Sequence, residues 1–331
     1  MSPHPFGEAA VDAAPVLVHV TRGAMIESAH RACVAVTGPS GEILLARGAV
    51  DEAILPRSAL KPLQTLAMVE QGLDLPPELI ALVCSSHSGE EVHRRGVRRI
   101  LATVGLTEDD LDNTPALPIG DLEHARWLAT GRPAAAIAQD CSGKHAGMLV
   151  TCAVNGWPIA GYLDADHQMQ RAIADLVTSW CGPIALTTVD GCGAPIPTTP
   201  LVALARAYGR LAAQPAGTPE QRIASAMRAH PQMLAGEGRD VAALIRATPG
   251  VIAKDGAECV YAAGTAQGYG IAVKVTDGTP FARARQVLVA SALAWALREA
   301  GAFVPVALQA LTTIPVLGHG RPVGSVHAVG F

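Results

Sequence analysis

The chain has 331 residues, of which 50% are hydrophobic, 16% charged and 4% aromatic, and its net charge is −4. This length and apolar content allow one large domain or two closely packed ones. The mild negative charge and the few aromatic residues argue against nucleic-acid binding. The longest apolar run near the C-terminus, 287–297, is also far below the roughly 18 residues that a membrane span needs.

The N-terminal part of the chain predicts a tail followed by β-structure. Residues 1–14 contain neither the basic segment nor the apolar segment of a signal peptide, so we predict a cytoplasmic protein. The β-rich segments that follow are 15–21, 31–37 and 42–48. The last two are separated by GPSG, which predicts a hairpin turn. A helix from about Ser58 to Gln71 comes next, and Gly72 marks its end.

The sequence pattern of the rest of the chain predicts a mainly helical central region followed by a second set of strands. Within 76–105 we expect an apolar segment, a turn of small residues at 85–89 and an amphipathic helix. Residues from about 118 to 250 are mainly helical in pattern. From 258 onward the predicted elements are two strands around a glycine-containing turn, a long amphipathic helix over 279–301 and a short strand in 324–331. Strands at both ends predict one sheet assembled from the two termini, within a single domain spanning 15–330.

Seven cysteines are scattered along the chain without a CxxC pair. An odd number in a chain of this size argues against a disulfide framework. Most of them are therefore expected to be small buried residues, and a functional cysteine has to be identified by its neighbours.

Ser58 and Lys61 lie three residues apart where the first long helix begins. Side chains at this spacing share one face of a helix. A helix cap beside a surface lysine is one reading of this pattern. The other is a serine nucleophile beside a lysine base, which requires burial or a neighbouring cation to lower the pKa of that lysine.

Two more polar segments interrupt apolar sequence. In CSSHSGEE, three serines surround His87, which is either a structural hydrogen-bonding residue or part of a cleft. In VIAKDGAEC, Lys254 stands in an apolar and glycine-containing setting directly before a predicted strand. Other catalytic motifs are absent from the sequence, including GxSxG, HExxH, the P-loop and GxGxxG, as well as the Ser-Asp-Asn and Lys-Thr-Gly of β-lactamases.

An ordered set of motifs resembles the rhizobial-type (class 3) L-asparaginases, the asparaginase II family. The matching pieces are TRGAMIESAHR, RSALKPLQ, CSSHSGE, DCSGKHAGML, DGCGAPIPT, AGEGR, AKDGAECVYAAG and GYGIAVKVTDG. The resemblance covers nearly the whole chain, from about residue 15 to residue 330. It implies an α/β (α+β) fold like that of serine β-lactamases and glutaminases, with an antiparallel sheet flanked by helices and a helical portion.

The same resemblance implies the catalytic residues and their roles. Ser58 and Lys61 correspond to one Ser-Lys pair of the family, and Ser86 and Lys254 to the second. Ser58 is expected to attack the side-chain amide of L-asparagine while Lys61 accepts its proton, giving an acyl-enzyme that water hydrolyses to L-aspartate. The substrate-binding residues are predicted to be Arg57, His87, Asp190 and Gly191.

A zinc site is also implied by the resemblance, with Cys141, Lys144 and Cys192 as its ligands. Ligand chemistry alone would favour His145 over a lysine as the third ligand, since lysine rarely binds zinc. We expect the zinc to assist substrate binding rather than to perform hydrolysis. A homodimer is implied as well.

Two alternatives stay open at this point. One is a different Ser/Lys amidase on the same scaffold, such as a glutaminase or an esterase-like enzyme, because one methylene changes binding by only about 1–3 kcal/mol. The other is a non-catalytic zinc-dependent amino-acid-binding protein, which would not need two intact Ser-Lys pairs.

Overall fold

The structure is a computed structural model that describes residues 8–278 and 283–331. The chain divides into two compact units. The first, the sheet unit, contains the described residues up to Ala59, Thr198–Gln214 and Leu244–Phe331. The second, the helical unit, contains Leu60–Pro197 and Pro215–Ala243. The single domain over 15–330 stays a prediction beside this division.

The strands, in chain order, are β1 Val16–Arg22, β2 Met25–Thr37, β3 Ile43–Arg47, β4 Ala53–Ile54, β5 Thr187–Val189, β6 Pro195–Pro197, β7 Thr199–Pro200, β8 Val251–Gly256, β9 Val260–Thr265, β10 Gly270–Val275, β11 Thr313–Gly318 and β12 Arg321–Ala328. The α-helices are α1 Glu8–Asp12, α2 Lys61–Glu70, α3 Pro77–Val83, α4 Glu91–Ala102, α5 Asp121–Ala129, α6 Ser142–Val154, α7 Gln168–Cys181, α8 Leu201–Ala212, α9 Pro219–Ala229, α10 Pro231–Leu234, α11 Asp240–Ala247, α12 Arg283–Glu299 and α13 Val306–Leu311.

The sheet unit is built on an antiparallel sheet in the order β11-β12-β1-β2-β10-β9-β8, with β3 also paired to β2. Strand β2 is long enough to pair with β1 through its first half and with β10 and β3 through its second half. Strands from both ends of the chain therefore meet in one sheet, as predicted. The mixed fold with an antiparallel sheet flanked by helices is confirmed.

The sheet is covered by helices because its central strands are buried along their whole length. Every residue of β8 and β9 is buried, which requires side chains to be covered on both faces. Helices α8 and α12 both contact β9 and β10. This places Lys254, a residue of β8, in the interior of the sheet unit.

Three sequence-based boundaries differ from the structure. Strand β2 begins at Met25 and not at residue 31, because its first residues pair with β1 in a hairpin that turns at Gly23. Lys254 lies within a strand and not before one. The strand expected in 324–331 is the longer β12, and β11 beside it was not predicted. The first residues of the helix predicted over 279–301, 279–282, lie outside the described residues.

The helical unit packs around α6, which contacts α2, α3, α4 and α7. Most residues of α6 are buried. The small residues of its sequence SGKHAG allow this close packing. An added Cβ at Gly143 would lie 2.3 Å from the carbonyl oxygen of Leu82 in α3, so only glycine fits there. Within the described residues, no helix is long and apolar enough to cross a membrane.

Candidate active site

The predicted nucleophile Ser58 lies in a tight turn of the sheet unit, within the one-turn 3-10 helix Arg57–Leu60. The Tyr208 hydroxyl donates a hydrogen bond to the carbonyl oxygen of Ala59 at 2.6 Å. A Cβ added to Gly256 would lie 2.7 Å from the Pro56 carbonyl oxygen. The end of β8 therefore passes directly against this turn, and the sheet unit brings the segments of Ser58 and Lys254 together.

Arg57, which precedes Ser58, has an unusual backbone conformation. Its φ angle is 50°, in the left-handed region that residues other than glycine rarely adopt. This conformation costs roughly 1–2 kcal/mol, and such strain concentrates at functional sites. It is consistent with a turn that has to present Ser58 in one orientation.

Lys254 is buried and held by its neighbour on β8. Its Nζ donates to the main-chain oxygen of Asp255 at 2.7 Å and to the Asp255 carboxylate at 2.5 Å. The second carboxylate oxygen of Asp255 accepts a hydrogen bond from Arg285 at 2.9 Å. Sequence reasoning missed Asp255 although it stands in the quoted motif AKDGAEC, and it had no signal for Arg285.

In the helical unit, Lys61 contacts Ser86. Lys61 begins α2, and its Nζ donates to the Ser86 hydroxyl oxygen at 3.0 Å and to the Ser85 carbonyl oxygen at 2.5 Å. The Asp140 carboxylate lies 3.7 Å away. Lys61 and Ser86 are both buried. The structure thus joins the lysine of the first predicted pair to the serine of the second.

The expected lowering of the Lys61 pKa is wrong in sign. Burial alone would lower this pKa, but the Cys141 sulfur, which accepts a hydrogen bond from the ammonium form, and the Asp140 carboxylate together outweigh burial and raise it. The sequence-based argument considered burial and another lysine, and it did not include Asp140. In the structure described here, Lys61 is therefore an ammonium group that donates to Ser86.

His87 is fully buried and uses both ring nitrogens. The Gly89 N–H donates to its Nδ1 at 3.1 Å, so the proton of the neutral ring lies on Nε2 and is donated to Ser142 at 2.8 Å. Burial, His93 stacked at 5.1 Å and Lys61 hold the pKa of His87 well below its usual value. These contacts favour the structural reading of His87, and its role in substrate binding stays a prediction.

The three predicted zinc ligands converge in the helical unit. Cys141 and Lys144 lie at the start of α6, and Cys192 lies in the turn between β5 and β6. The Lys144 Nζ is 3.1 Å from the Cys192 sulfur, and the Cys141 thiol donates a hydrogen bond to the same sulfur. All three side chains are buried. Residues that lie 51 positions apart in the chain thus form one polar cluster, which only tertiary structure can assemble.

The charges of this cluster are strongly coupled. The hydrogen bond from Cys141, followed by Lys144 and His145, holds the pKa of the Cys192 thiol far below its usual value, while the same bond and burial raise the pKa of Cys141. Burial alone would lower the pKa of Lys144, but Cys192, Cys141 and Asp190 raise it. Without a metal, the cluster is therefore a thiolate held by an ammonium group and a thiol.

The donor set fits zinc. Two sulfur ligands, one of them already a thiolate, are typical of zinc sites, and Lys144 would have to release a proton to become a ligand. Among the described residues, no group of three or more His, Cys, Asp or Glu is arranged to hold a metal ion. The fit therefore depends on the lysine as the third ligand.

His145 interacts with the same thiolate. Tyr162 accepts a hydrogen bond from the Asp112 N–H at 3.2 Å, so its own hydroxyl proton is available to His145 Nδ1 at 2.9 Å. The Nε2 atom of His145 makes no hydrogen bond of good geometry, but the imidazole lies close enough to lower the pKa of Cys192. Burial lowers the pKa of His145 to about 4, so this ring is neutral. Sequence reasoning had no signal for Tyr162.

Asp190 and Gly191 lie beside this cluster, at the turn that carries Cys192. The Gly191 N–H donates to the Asp190 carboxylate at 2.9 Å, and Asp190 acts electrostatically on Lys144. Gly191 is exposed and Asp190 half-buried. Their predicted role in substrate binding is not tested by these contacts.

The site thus combines a buried lysine–serine contact with a cysteine–lysine cluster on a mixed α/β scaffold. The chain belongs to the L-asparaginase II family, whose model matches residues 18–328. No curated protein matches the chain. Among solved structures, a β-lactamase from Mycobacterium bovis is similar, with 16% identity, a TM-score of 0.47 and coverage of 81% of this chain and 94% of the other.

Proposed function

We propose that the protein is an L-asparaginase, which hydrolyses L-asparagine to L-aspartate and ammonia through a serine nucleophile. Membership in the L-asparaginase II family supports an amidohydrolase acting on a small molecule. The observation that carries the proposal is the buried hydrogen bond between Lys61 and Ser86. Burying an ammonium group is costly, so a buried lysine that contacts a serine hydroxyl supports a catalytic role.

The proposed nucleophile is Ser58, which is three residues from Lys61 in the chain. Its hydroxyl oxygen attacks the side-chain amide carbon while neutral Lys61 takes the hydroxyl proton and passes it to the amide nitrogen, so that ammonia leaves, and water then hydrolyses the resulting ester. For this step Lys61 has to be neutral, so it first gives up the proton that it shares with Ser86. Ser86 is proposed to relay that proton to solvent water, and Lys254 to supply positive charge.

Zinc held by Cys141, Lys144 and Cys192 would supply positive charge for binding the substrate. The proposed substrate-binding residues are Arg57, His87, Asp190 and Gly191. The converged thiol and amine groups support the ligand set. A homodimer, which the resemblance implies, and a cytoplasmic location are further proposals.

Ammonia release by serine variants tests this function. Ser58→Ala is expected to lower kcat for asparagine by more than about tenfold, roughly 1.4 kcal/mol of transition-state stabilisation. Ser86→Ala should lower it as well, since the proton relay is lost. Ser179→Ala is a matched control, because the Ser179 hydroxyl on α7 donates a hydrogen bond to the main-chain oxygen of Leu176, within the same helix. It should retain wild-type activity.

Two results would contradict the proposal. A Ser58→Ala variant that keeps more than about a tenth of kcat would transfer the nucleophile role to Ser86. Binding of asparagine without release of ammonia would favour the amino-acid-binding protein. Parallel assays with glutamine and with simple esters decide between asparaginase and the other Ser/Lys hydrolases.

A further inference from the structure

A buried ionic cluster in the sheet unit contains two residues that the proposed function does not use. Asp255 follows Lys254 on β8, and Arg285 lies on α12. The side chains of Lys254, Asp255 and Arg285 are 1%, 7% and 10% exposed. The cluster therefore lies in the interior, where charges interact strongly.

Asp255 connects the two cations. One of its carboxylate oxygens is 2.5 Å from Lys254 Nζ, and the other is 2.9 Å from Arg285 Nη2. Arg285 also donates through Nη1 to the main-chain oxygen of Gly256 at 2.9 Å. Because the guanidinium is tied to the backbone of β8 as well, the carboxylate is held between two fixed points.

Arg285 also interacts with groups on and beside β9. The Arg285 guanidinium lies 5.7 Å from the ring of Tyr261 on β9, and it acts electrostatically on the Cys259 thiol. The Asp255 carboxylate pairs with both Lys254 and Arg285. The Asp255 carboxylate lies 2.5 Å from Lys254 Nζ, and opposite charges at this distance attract strongly in a protein interior.

A gain in folding stability does not by itself explain why charged residues are buried in this cluster. Replacing buried ion pairs by apolar residues of similar volume is often neutral or stabilising, because burying charges costs several kcal/mol per ion. The arrangement does give Lys254 one orientation. An ammonium group at a fixed position stabilises negative charge that develops on a substrate without further reorganisation.

We propose that Asp255 is a positioning residue that fixes the orientation of Lys254, and that Arg285 anchors Asp255. This inference rests on the proposed function, because the catalytic role of Lys254 belongs to that function. Asp255 acts through Lys254 and needs no contact with the substrate.

Steady-state kinetics of ammonia release give the first test. Asp255→Asn keeps the size of the side chain but removes its charge, and it should lower kcat at least about tenfold while KM changes less than about threefold. In the Lys254→Met background the same substitution should change the residual kcat less than about twofold, because the two residues act as one. Effects that multiply in the double variant, or a kcat within twofold of wild type in Asp255→Asn, would overturn the proposal.

Side-chain NMR gives a second test that needs no substrate. The chain contains only four lysines, at 61, 144, 254 and 274, so labelled lysine gives few signals. Lys254→Arg assigns the Cε signal of Lys254. We expect a rigid signal in the wild type and a mobile one in Asp255→Asn, because a charge-assisted hydrogen bond is roughly twice as strong as a neutral one. The control Glu258→Gln, an exposed acid next to the cluster in sequence, should leave the signal unchanged.

The two measurements separate this inference from the proposed function. If the wild type releases no ammonia from asparagine, the proposed function fails, and the NMR result still decides whether Asp255 positions Lys254. If Asp255→Asn does not fold, Arg285→Met, which removes the Arg285 hydrogen bond to the Asp255 carboxylate, should show the same changes in kcat and mobility to a smaller degree. Equal Lys254 mobility in wild type and variant would refute the inference.

Discussion

At the residue scale, the charge on Lys61 is controlled by groups from other segments of the helical unit. Burial favours the neutral amine, while Cys141 and Asp140 favour the ammonium form and outweigh burial. A lysine that acts as a base must be neutral, so activity should rise with pH as Lys61 loses its proton. The contact with Asp140, at 3.7 Å, opposes that loss.

Asp140→Asn is therefore expected to shift the rising limb of kcat/KM to lower pH, by about one unit. Removing the carboxylate lowers the pKa of Lys61, so the neutral amine is present at lower pH. Asp175→Asn is the control, since Asp175 is an exposed acid of the same unit. Profiles of kcat/KM against pH for the three proteins check this. An unmoved limb in Asp140→Asn would show that another group activates the nucleophile.

The second prediction at this scale concerns the cysteines. Cys192→Ala should lose bound zinc, because it removes the thiolate of the cluster, whereas Cys181→Ala should keep it. Cys181 is another buried cysteine of the same unit, but burial raises its pKa to about 12, and no cation among the described residues lowers that pKa. The zinc content of the purified variants, measured by atomic absorption, distinguishes them. Equal zinc in both would exclude Cys192 as a ligand.

Removing zinc from the wild type with a chelator is expected to raise KM at least about fivefold and to lower kcat less than about threefold. The reason is that a serine supplies the attacking oxygen, so no metal-bound hydroxide is needed. Kinetics at saturating asparagine before and after chelation give the answer. Loss of kcat that only added zinc restores would contradict a role restricted to substrate binding.

At the element scale, the position of α6 against α3 places Cys141 and Lys144. Gly143 faces the backbone of α3, and the Leu82 carbonyl oxygen would lie 2.3 Å from a Cβ at this position. A backbone oxygen cannot move aside as a flexible side chain can. Any side chain at 143 therefore displaces the first turn of α6.

Gly143→Ala should lower the free energy of unfolding by about 2–3 kcal/mol, the cost of overpacking. It should also weaken zinc binding, since Lys144 moves with the helix. Gly131→Ala is the control, because Gly131 has a φ of 68° but open space around it, and only about 1 kcal/mol is expected there. Urea denaturation of both variants measures the difference. Equal losses would mean that α6 adjusts to the added methyl group.

At the scale of the whole molecule, buried neutral histidines connect stability to pH. Burial lowers the pKa values of His87, His93 and His145 in the folded chain. Below the ordinary histidine pKa of about 6.5 the unfolded chain therefore binds more protons than the folded one. Stability is fully present above that pH and is lost as the pH falls toward 4, by up to about 1.4 kcal/mol per pH unit for each histidine.

In His87→Gln the free energy of unfolding should depend less steeply on pH between about 6.5 and 4.5. The slope should fall by up to about 1.4 kcal/mol per pH unit, which corresponds to the uptake of one proton. His319→Gln, at an exposed histidine, should keep the wild-type slope. Urea denaturation at several pH values compares the three proteins. A wild-type stability that does not change over this range would mean that these rings are protonated in the folded chain.

The sequence alone determined the motifs, the chemistry they imply and the local elements. GPSG predicted the β2–β3 hairpin, and Gly72, with a φ of 91°, ends α2 as expected. The order of the motifs identified the family. These features depend on residues close together in the chain, whose backbone preferences and spacing can be read without knowing the fold.

Only the tertiary structure decided which charged groups face one another. The sequence predicted that Lys61 pairs with Ser58, but in the structure Lys61 donates a hydrogen bond to Ser86. Its pKa is raised by Cys141 and Asp140. The sequence also predicted a role for Lys254 but not for its partner Asp255. Nor did it indicate that Arg285, thirty residues further along the chain, would bind the Asp255 carboxylate. The pKa of a buried group depends on charges a few ångströms away in space, and those charges come from segments far apart in the chain.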